Sequence, residues 1–404
     1  MPGTRPNASV VEVFLRFLRL GCTSFGGPIA HIGYFRNEFV LRLRWLDEVT
    51  FAEVAGLCQS LPGPASSQVG FTIGLLRAGL SGAFAAWLAF TLPSAVLMFA
   101  LAQGHPLFNN RLGSGIIHGL QLVAIAVVAQ AVLGMIRTLT PDLVRGLLAL
   151  IAASVVLFVH HPFSQLVAIA SGASLGLIVC RGTNTRPSNP ITISLPRRAS
   201  FAAIALFLFL LFAPALALAV RPSQTLAVFR AFYTTGALVF GGGHVVLPLL
   251  QAATVAPGWI DTSTFLAGYG GAQALPGPLF TFAAYLGALL QPRPNGLAGA
   301  TLALTAIFLP GLLLVLGILP FWNRLRANPT MQSLLAGVNA SVVGILAAAL
   351  YRPLWTGTVK APVDYVLVFA ASLALVVGKV RPWIVVCVTA AAGAALPYLL
   401  HSGK

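Results

Sequence analysis

The sequence predicts an all-α polytopic membrane protein, built from two homologous six-segment halves related as inverted repeats and joined by a central helix. Three observations carry this. The chain is 58% hydrophobic and only 8% charged over 404 residues, and its mean hydropathy is +0.90. A bilayer-spanning helix needs ~20 mostly apolar residues, and about thirteen segments meet that requirement. Finally, the chain repeats itself. Trp45, Asp47, Phe51, Gln59, Leu61, Pro62, Gly63 and Pro64 recur at one fixed offset as Trp259, Asp261, Phe265, Gln273, Leu275, Pro276, Gly277 and Pro278. Phe25-Gly26-Gly27 recurs as Phe240-Gly241-Gly242, one residue further on, and Leu92-Pro93 recurs as Leu309-Pro310. Duplication in an apolar chain, with Gly or Pro interrupting matched segments, is the pattern of transporters whose site lies between the copies near the bilayer midplane.

In order, the apolar segments fall at about 9–35, 50–80, 82–103, 113–137, 143–160 and 163–180. A polar linker follows from Arg181 to Ser200, then an apolar segment from Phe201 to about Val220. The second series runs at about 226–253, 262–290, 296–320, 331–351, 362–378 and 382–400. The expected organisation is a first repeat over 1–180, a linker with central helix over 181–225, and a second repeat over 226–404. If each segment crosses once, the second copy begins on the opposite side and the repeats are inverted. Were only 50–80 and 262–290 re-entrant, the copies would be parallel. Arg137, Arg145, the linker, Arg324, Arg326, Lys379 and Arg381 favour a cytoplasmic N-terminus and an external C-terminus. Arg36, Arg42 and Arg44 then fall outside, against the rule. The start of the chain does not read as a cleavable signal, because Glu12, Arg16 and Arg19 interrupt its apolar run.

The net charge is +16, from 24 Lys and Arg against 8 Asp and Glu. The basic residues stand singly between apolar segments, so nucleic acid is not the expected partner. The few carboxylates, mostly at segment ends, tilt the substrate towards an anion. Cys22, Cys58, Cys180 and Cys387 are isolated and read as small packing residues. No metal site or cofactor is expected, and no nucleotide loop, zinc-protease or hydrolase motif suggests an enzyme.

The candidate site lies at the breaks. Pro62 and Pro64 remove backbone donors and Gly63 permits a reversal. In lipid such a break survives only when buried in protein or lining a cavity. It must end one half-helix and begin another, whose free amides, with Ser66, Ser67 and Gln68, suit an anion. Gly277 marks the matching break, which is poorer in hydroxyls. Gly26 and Gly27, preceded by Ser24 and followed by His31, form a second break; Gly241, Gly242 and His244 repeat it. Glycine pairs can expose amides as an anion-binding concavity, or serve close helix packing. Gln59 and Gln273 either cap their own breaks or line the cavity. Asp47 and Asp261 read as helix caps, and Trp45 and Trp259 as interface residues. The repeated Asn110-Arg111 and Asn323-Arg324 read as topological charges or as anion attractors. Glu12 is spaced to pair with Arg16, leaving Arg19 as the freer intramembrane cation.

These motifs resemble those of the chromate ion transporter family in its long, two-domain form. The resemblance rests on Ser24-Phe25-Gly26-Gly27-Pro28, Gln59-Ser60-Leu61-Pro62-Gly63-Pro64, Phe240-Gly241-Gly242-Gly243-His244 and Gln273-Ala274-Leu275-Pro276-Gly277-Pro278. It implies chromate efflux from the bacterial cytoplasm across the inner membrane and two oppositely oriented halves. The expected ligand is chromate or a sulfate-like oxyanion, and a homodimer is compatible with it. Membrane potential or a proton gradient could drive export by alternating access, with His31, His244 or Glu53 as titrating candidates. A carrier for sulfate or another small anion is the alternative reading, and a membrane enzyme or scaffold the third.

Overall fold

A computed structural model describes residues 9–25, 27–104, 111–159, 164–180, 196–240 and 243–399. Helices and their connections make up these residues, and no strand occurs among them.

The first segment folds back on itself. Helix α1, Val10–Thr23, is 14 residues long and capped by the Ser9 side chain. At 1.5 Å per residue it measures about 21 Å, too short for a bilayer core of ~30 Å. Helix α2, Gly27–Phe35, continues as a π-helical stretch over Arg36–Arg42. Phe17 of α1 packs edge-on against Phe35, with centroids 5.5 Å apart, and stacks on Phe39 at 4.8 Å. Arg16 lies 4.0 Å from Glu38. Each pair straddles the glycine break almost symmetrically, so α1 and α2 form a hairpin. The expected single crossing at 9–35 is therefore overturned. The intended Glu12–Arg16 pair is replaced as well, because the fold-back brings Glu38 to Arg16 and leaves Glu12 with Arg77 at 3.9 Å.

The second segment does the same. Helix α3 covers Glu48–Ser60. Helix α4, Ala65–Gln103, is kinked at Ala78 and Gly79, both outside helical geometry. Its first arm, residues 65–77, returns beside α3 and brings Thr72 Oγ1 within 3.8 Å of Cys58 Sγ. Its second arm, residues 80–103, reverses again and runs against α1. Helices α5, Arg111–Leu139, α6, Leu143–Phe158, and α7, Ser164–Val179, complete this half. Helix α8, Arg197–Val220, follows, with Phe209, Phe212 and Leu216 exposed as a bilayer-facing helix requires.

The second half repeats this order with α9, Gln224–Leu238, α10, Val246–Thr254, α11, Thr262–Ala274, α12, Phe282–Leu289, and α13, Gly296–Ile318. The Tyr285 hydroxyl donates to the Thr264 carbonyl at 3.2 Å, closing α12 onto α11 as a hairpin. Here α12 and α13 correspond to the two arms of α4. The chain continues through α14, Trp322–Arg326, α15, Pro329–Ala349, α16, Thr356–Thr358, α17, Pro362–Val376, and α18, Pro382–Leu399.

Helix α10 packs back on α9 as α2 does on α1, so each half has two hairpins that re-enter without crossing. That removes an even number of crossings from each half, so the parity set by α8 is unchanged and the halves remain inverted. The halves also exchange their ends. Helix α5 packs on α17 and α18, while α15 packs on α6 and α7. Small residues allow these approaches: Gly115 and Gly119 abut Gly393 and Thr389, and Gly176 abuts Gly337.

Candidate functional site

The break in each half is completed by the other half. Helix α3 ends where Leu61 donates its last helical bond to Leu57. Pro62 and Pro64 have no N–H, so Gly63 supplies the only donor within the Pro-Gly-Pro run. It donates to the carbonyl of Val239 at 2.7 Å. In the second half, Gly277 donates to the carbonyl of Ser24 at 2.8 Å. Val239 and Ser24 stand directly before Phe240 and Phe25, the first residues of the repeated glycine breaks. Four hairpin tips thus meet in two equivalent junctions, each joining a Pro-Gly-Pro tip to a glycine tip from the opposite half.

Glycine is required at both. Gly63 has φ +122° and Gly277 φ +94°, a region that side-chain-bearing residues rarely occupy. A Cβ on Gly63 would lie 3.0 Å from Gly311 Cα and 2.9 Å from Gln68 Nε2. A Cβ on Gly277 would lie 2.7 Å from Ser94 Oγ. Ser94 and Gly311 directly follow the repeated prolines Pro93 and Pro310, so this packing is duplicated too.

The returning arms begin without side-chain caps. Pro64 precedes α4, and Gln68 N–H, donating to the Pro64 carbonyl, makes the first helical bond. Pro278 stands at the same point before α12, with Thr281 N–H bonded back to it. The preceding amides have no partner within the helix and carry the positive end of its dipole towards the tip.

Among the sequence candidates, Ser24 is fully buried; its carbonyl also receives His31 Nε2 at 3.2 Å, while its hydroxyl has no protein partner. His31 is fully buried, with Nδ1 unpartnered and its ring edge-on to Phe90. Gly27 has open space where a Cβ would stand. Ser66 and Ser67 are buried on the returning arm, and Ser67 Oγ has no partner. His244 Nδ1 pairs with the Tyr269 hydroxyl at 2.8 Å. Gln59 is exposed, whereas Gln273 is half-buried with Nε2 unpartnered. Arg19 is exposed on α1, and no acidic side chain pairs with it among the described residues. Gly26, Gly241, Gly242 and Asn110 lie outside the described residues.

The structure gives Gln68 a bridging role and adds Thr91 and Ser94. Gln68 Nε2 donates to the carbonyls of Pro62, at 2.9 Å, and Gly311, at 3.1 Å, tying one break to the opposite half. Thr91 is buried with its hydroxyl unpartnered, and Ser94 Oγ donates to the Thr91 carbonyl at 3.1 Å. Thr91 and Ser94 are signalled in the sequence by adjacency to the repeated Leu92-Pro93. Asp47 and Asp261 act as helix caps, accepting the amides of Thr50 and Thr264 at 2.8 Å each. Trp45 lies under the Arg77 guanidinium, 4.8 Å from the ring centroid. Among the described residues no group of His, Cys, Asp and Glu side chains is placed to hold a metal ion.

Comparison with known proteins bears on both halves. The family model described as chromate transporter matches residues 11–177 and again residues 226–394. An uncharacterised transporter of Methanocaldococcus jannaschii is 27% identical over 395 residues, covering 96% of this chain and 95% of that protein. The chromate transport protein of Pseudomonas aeruginosa is 29% identical over 398 residues, covering 96% and 92%. That of Cupriavidus metallidurans is 25% identical over 404 residues, covering 98% and 96%. No solved structure matches the chain. With both halves matched and every long segment helical, this multi-pass membrane protein belongs to the chromate transporter family.

Proposed function

We propose that the chain is a secondary transporter that exports chromate from the bacterial cytoplasm across the inner membrane. The observation that carries this reading is the pair of reciprocal tip bonds, Gly63 to Val239 and Gly277 to Ser24. They bring interrupted helices of opposite halves together, the arrangement in which transporters hold a substrate between their repeats. Uncapped amides and buried hydroxyls are donors, and a tetrahedral dianion needs several donors at ~2.7–3.2 Å. Two relatives named chromate transport protein, aligned over nearly their whole length, supply the substrate.

The same geometry supports alternating access. Rocking one half against the other opens the tips first to one side and then to the other. Outward movement of a dianion is favoured by a negative interior, by about 2.3 kcal/mol per charge per 100 mV. Membrane potential, a proton gradient or both could supply the drive. The test is uptake of radiolabelled chromate into inverted vesicles, with a protonophore and a potential-collapsing ionophore added separately. Uptake that depends on this protein and falls with either agent supports the reading. Uptake of sulfate in preference to chromate would replace the substrate, and absence of any oxyanion uptake would end the proposal.

A further inference from the structure

The two junctions share a backbone but not a chemistry. At the Gly277–Ser24 junction stand the Ser24 hydroxyl, the Thr91 hydroxyl and His31 Nδ1, all buried and without a protein partner. Ser24 and His31 are linked directly, and Thr91 joins them through its neighbour Phe90 and through Ser94, which donates to its carbonyl. Gly277 bonds to Ser24, Ser24 to His31, the His31 ring meets Phe90, and Ser94 abuts Gly277. Gln273, one turn before Gly277, adds an unpartnered Nε2. At the Gly63–Val239 junction the repeat offsets place Val239 for Ser24, Val246 for His31, Phe308 for Thr91 and Gly311 for Ser94. There Gln68 Nε2 is already engaged by two carbonyls, and its buried Oε1 is an acceptor that repels an anion. One junction gathers three unpartnered buried groups around its tip; at the other the Ser67 hydroxyl is unpartnered, but Gln68 fills the space between the tips.

His31 adds a condition. Its Nε2 faces a carbonyl oxygen, which only an N–H can satisfy. In the neutral ring Nδ1 is then a lone pair facing away from that bond. Beside an oxyanion it must either carry a proton or accept one from a protonated anion. The charged side chains on the elements around it are Glu12, Arg16 and Arg19 on α1, Arg36, Glu38 and Arg42 beyond α2, Glu48 and the buried Glu53 on α3, Arg77 on α4, and Asp261 at the start of α11. Glu12, Arg16, Glu38 and Arg77 are engaged with one another in ion pairs.

We infer that the oxyanion sits at only one of the two tip junctions, where Gly277 meets Ser24, and that it binds there together with one proton held at His31 Nδ1. This deepens the transport reading and rests on it. A dianion bound this way moves with one net negative charge, which halves the charge carried per cycle.

The test is binding of labelled sulfate to the purified full-length protein in lipid nanodiscs, with proton uptake recorded in weak buffer. Sulfate does not itself take up a proton near neutrality, so any uptake belongs to the protein. Wild type is expected to bind more tightly as the medium is acidified, taking up about one proton per anion. Ser24→Ala and Thr91→Val should each weaken binding by about tenfold, more than Ser67→Ala on the opposite tip. His31→Gln can still donate to the Ser24 carbonyl, and it should bind without proton uptake. A Ser67→Ala loss equal to the Ser24→Ala loss would overturn the single seat, and proton uptake persisting in His31→Gln would overturn the role of His31. A wild-type protein that binds neither sulfate nor chromate would instead sink the oxyanion reading itself.

Discussion

The amide of Gly277 and the carbonyl of Ser24 meet at 2.8 Å across the boundary between the two halves, 253 positions apart in the chain by subtraction of their numbers. The matching bond from Gly63 to Val239 runs the other way. A substitution at either glycine therefore acts on both halves at once. Gly63→Leu or Gly277→Leu is expected to abolish transport while leaving the protein in the membrane, because the side chain meets Gly311 or Ser94 and the backbone must leave φ > 0. Even alanine costs roughly 1–2 kcal/mol in that region before any clash. Vesicle flux beside quantitation of membrane-inserted protein checks this, and wild-type flux in either leucine variant would remove the tips from the mechanism.

The second half is latched to the first outside the tips. His118 of α5 pairs with Asp364 at 2.7 Å, and Asp364 also accepts the amides of Lys360 and Ala361 at 2.9 Å each, closing the start of α17. Asp364 is almost fully buried. Asp364→Ala leaves three donors without their acceptor and is expected to cost about 2–4 kcal/mol. Thermal unfolding in detergent should show a clear fall for Asp364→Ala and a smaller one for His118→Ala. Equal stability of all three proteins would contradict the latch.

Asp142 caps α6 and also reaches Arg145. The Arg145 backbone amide holds its carboxyl below the usual carboxylate range, so its folded form favours the charged state. The stabilisation is complete above the unfolded value of about 4 and is lost as the pH falls through the lower folded value. Asp142→Ala should cost about 1 kcal/mol near neutrality, and the gap to wild type should close on acidification. A gap that widens in acid would reverse the sign.

The role of an unpaired cation on α1 is testable through Arg19. Among the cations of α1 it is the one without an acidic partner among the described residues. Arg19→Gln is expected to weaken chromate transport more than Arg111→Gln, with steeper loss at low ionic strength. The opposite order in a vesicle assay would place the attracting charge at α5.

Much of this is legible in the sequence. The Gly and Pro breaks are visible because their residue types are costly in a membrane helix unless the fold uses them. The fold-back of 9–35 is harder to see, since an apolar run looks the same whether it crosses or returns. The signal was present in two forms. Phe17 with Phe39, and Arg16 with Glu38, are spaced evenly about the glycines, and Arg36, Arg42 and Arg44 broke the charge rule. With the hairpin, those three arginines return to the side of the N-terminus, and the exception disappears. The junction partners were beyond reach, because the acceptors at Ser24 and Val239 are carbonyls, which every residue carries.

Single cysteines at Arg44 and Ala256, introduced after replacing the four native ones, test the inverted tip-to-tip arrangement most directly. Both positions lie in exposed turns between the paired hairpins of their halves. Labelling with a membrane-impermeant maleimide in right-side-out and inverted vesicles should place the two on opposite faces. Labelling of both from the same face would make the repeats parallel, bring all four tips in from one side, and contradict the account.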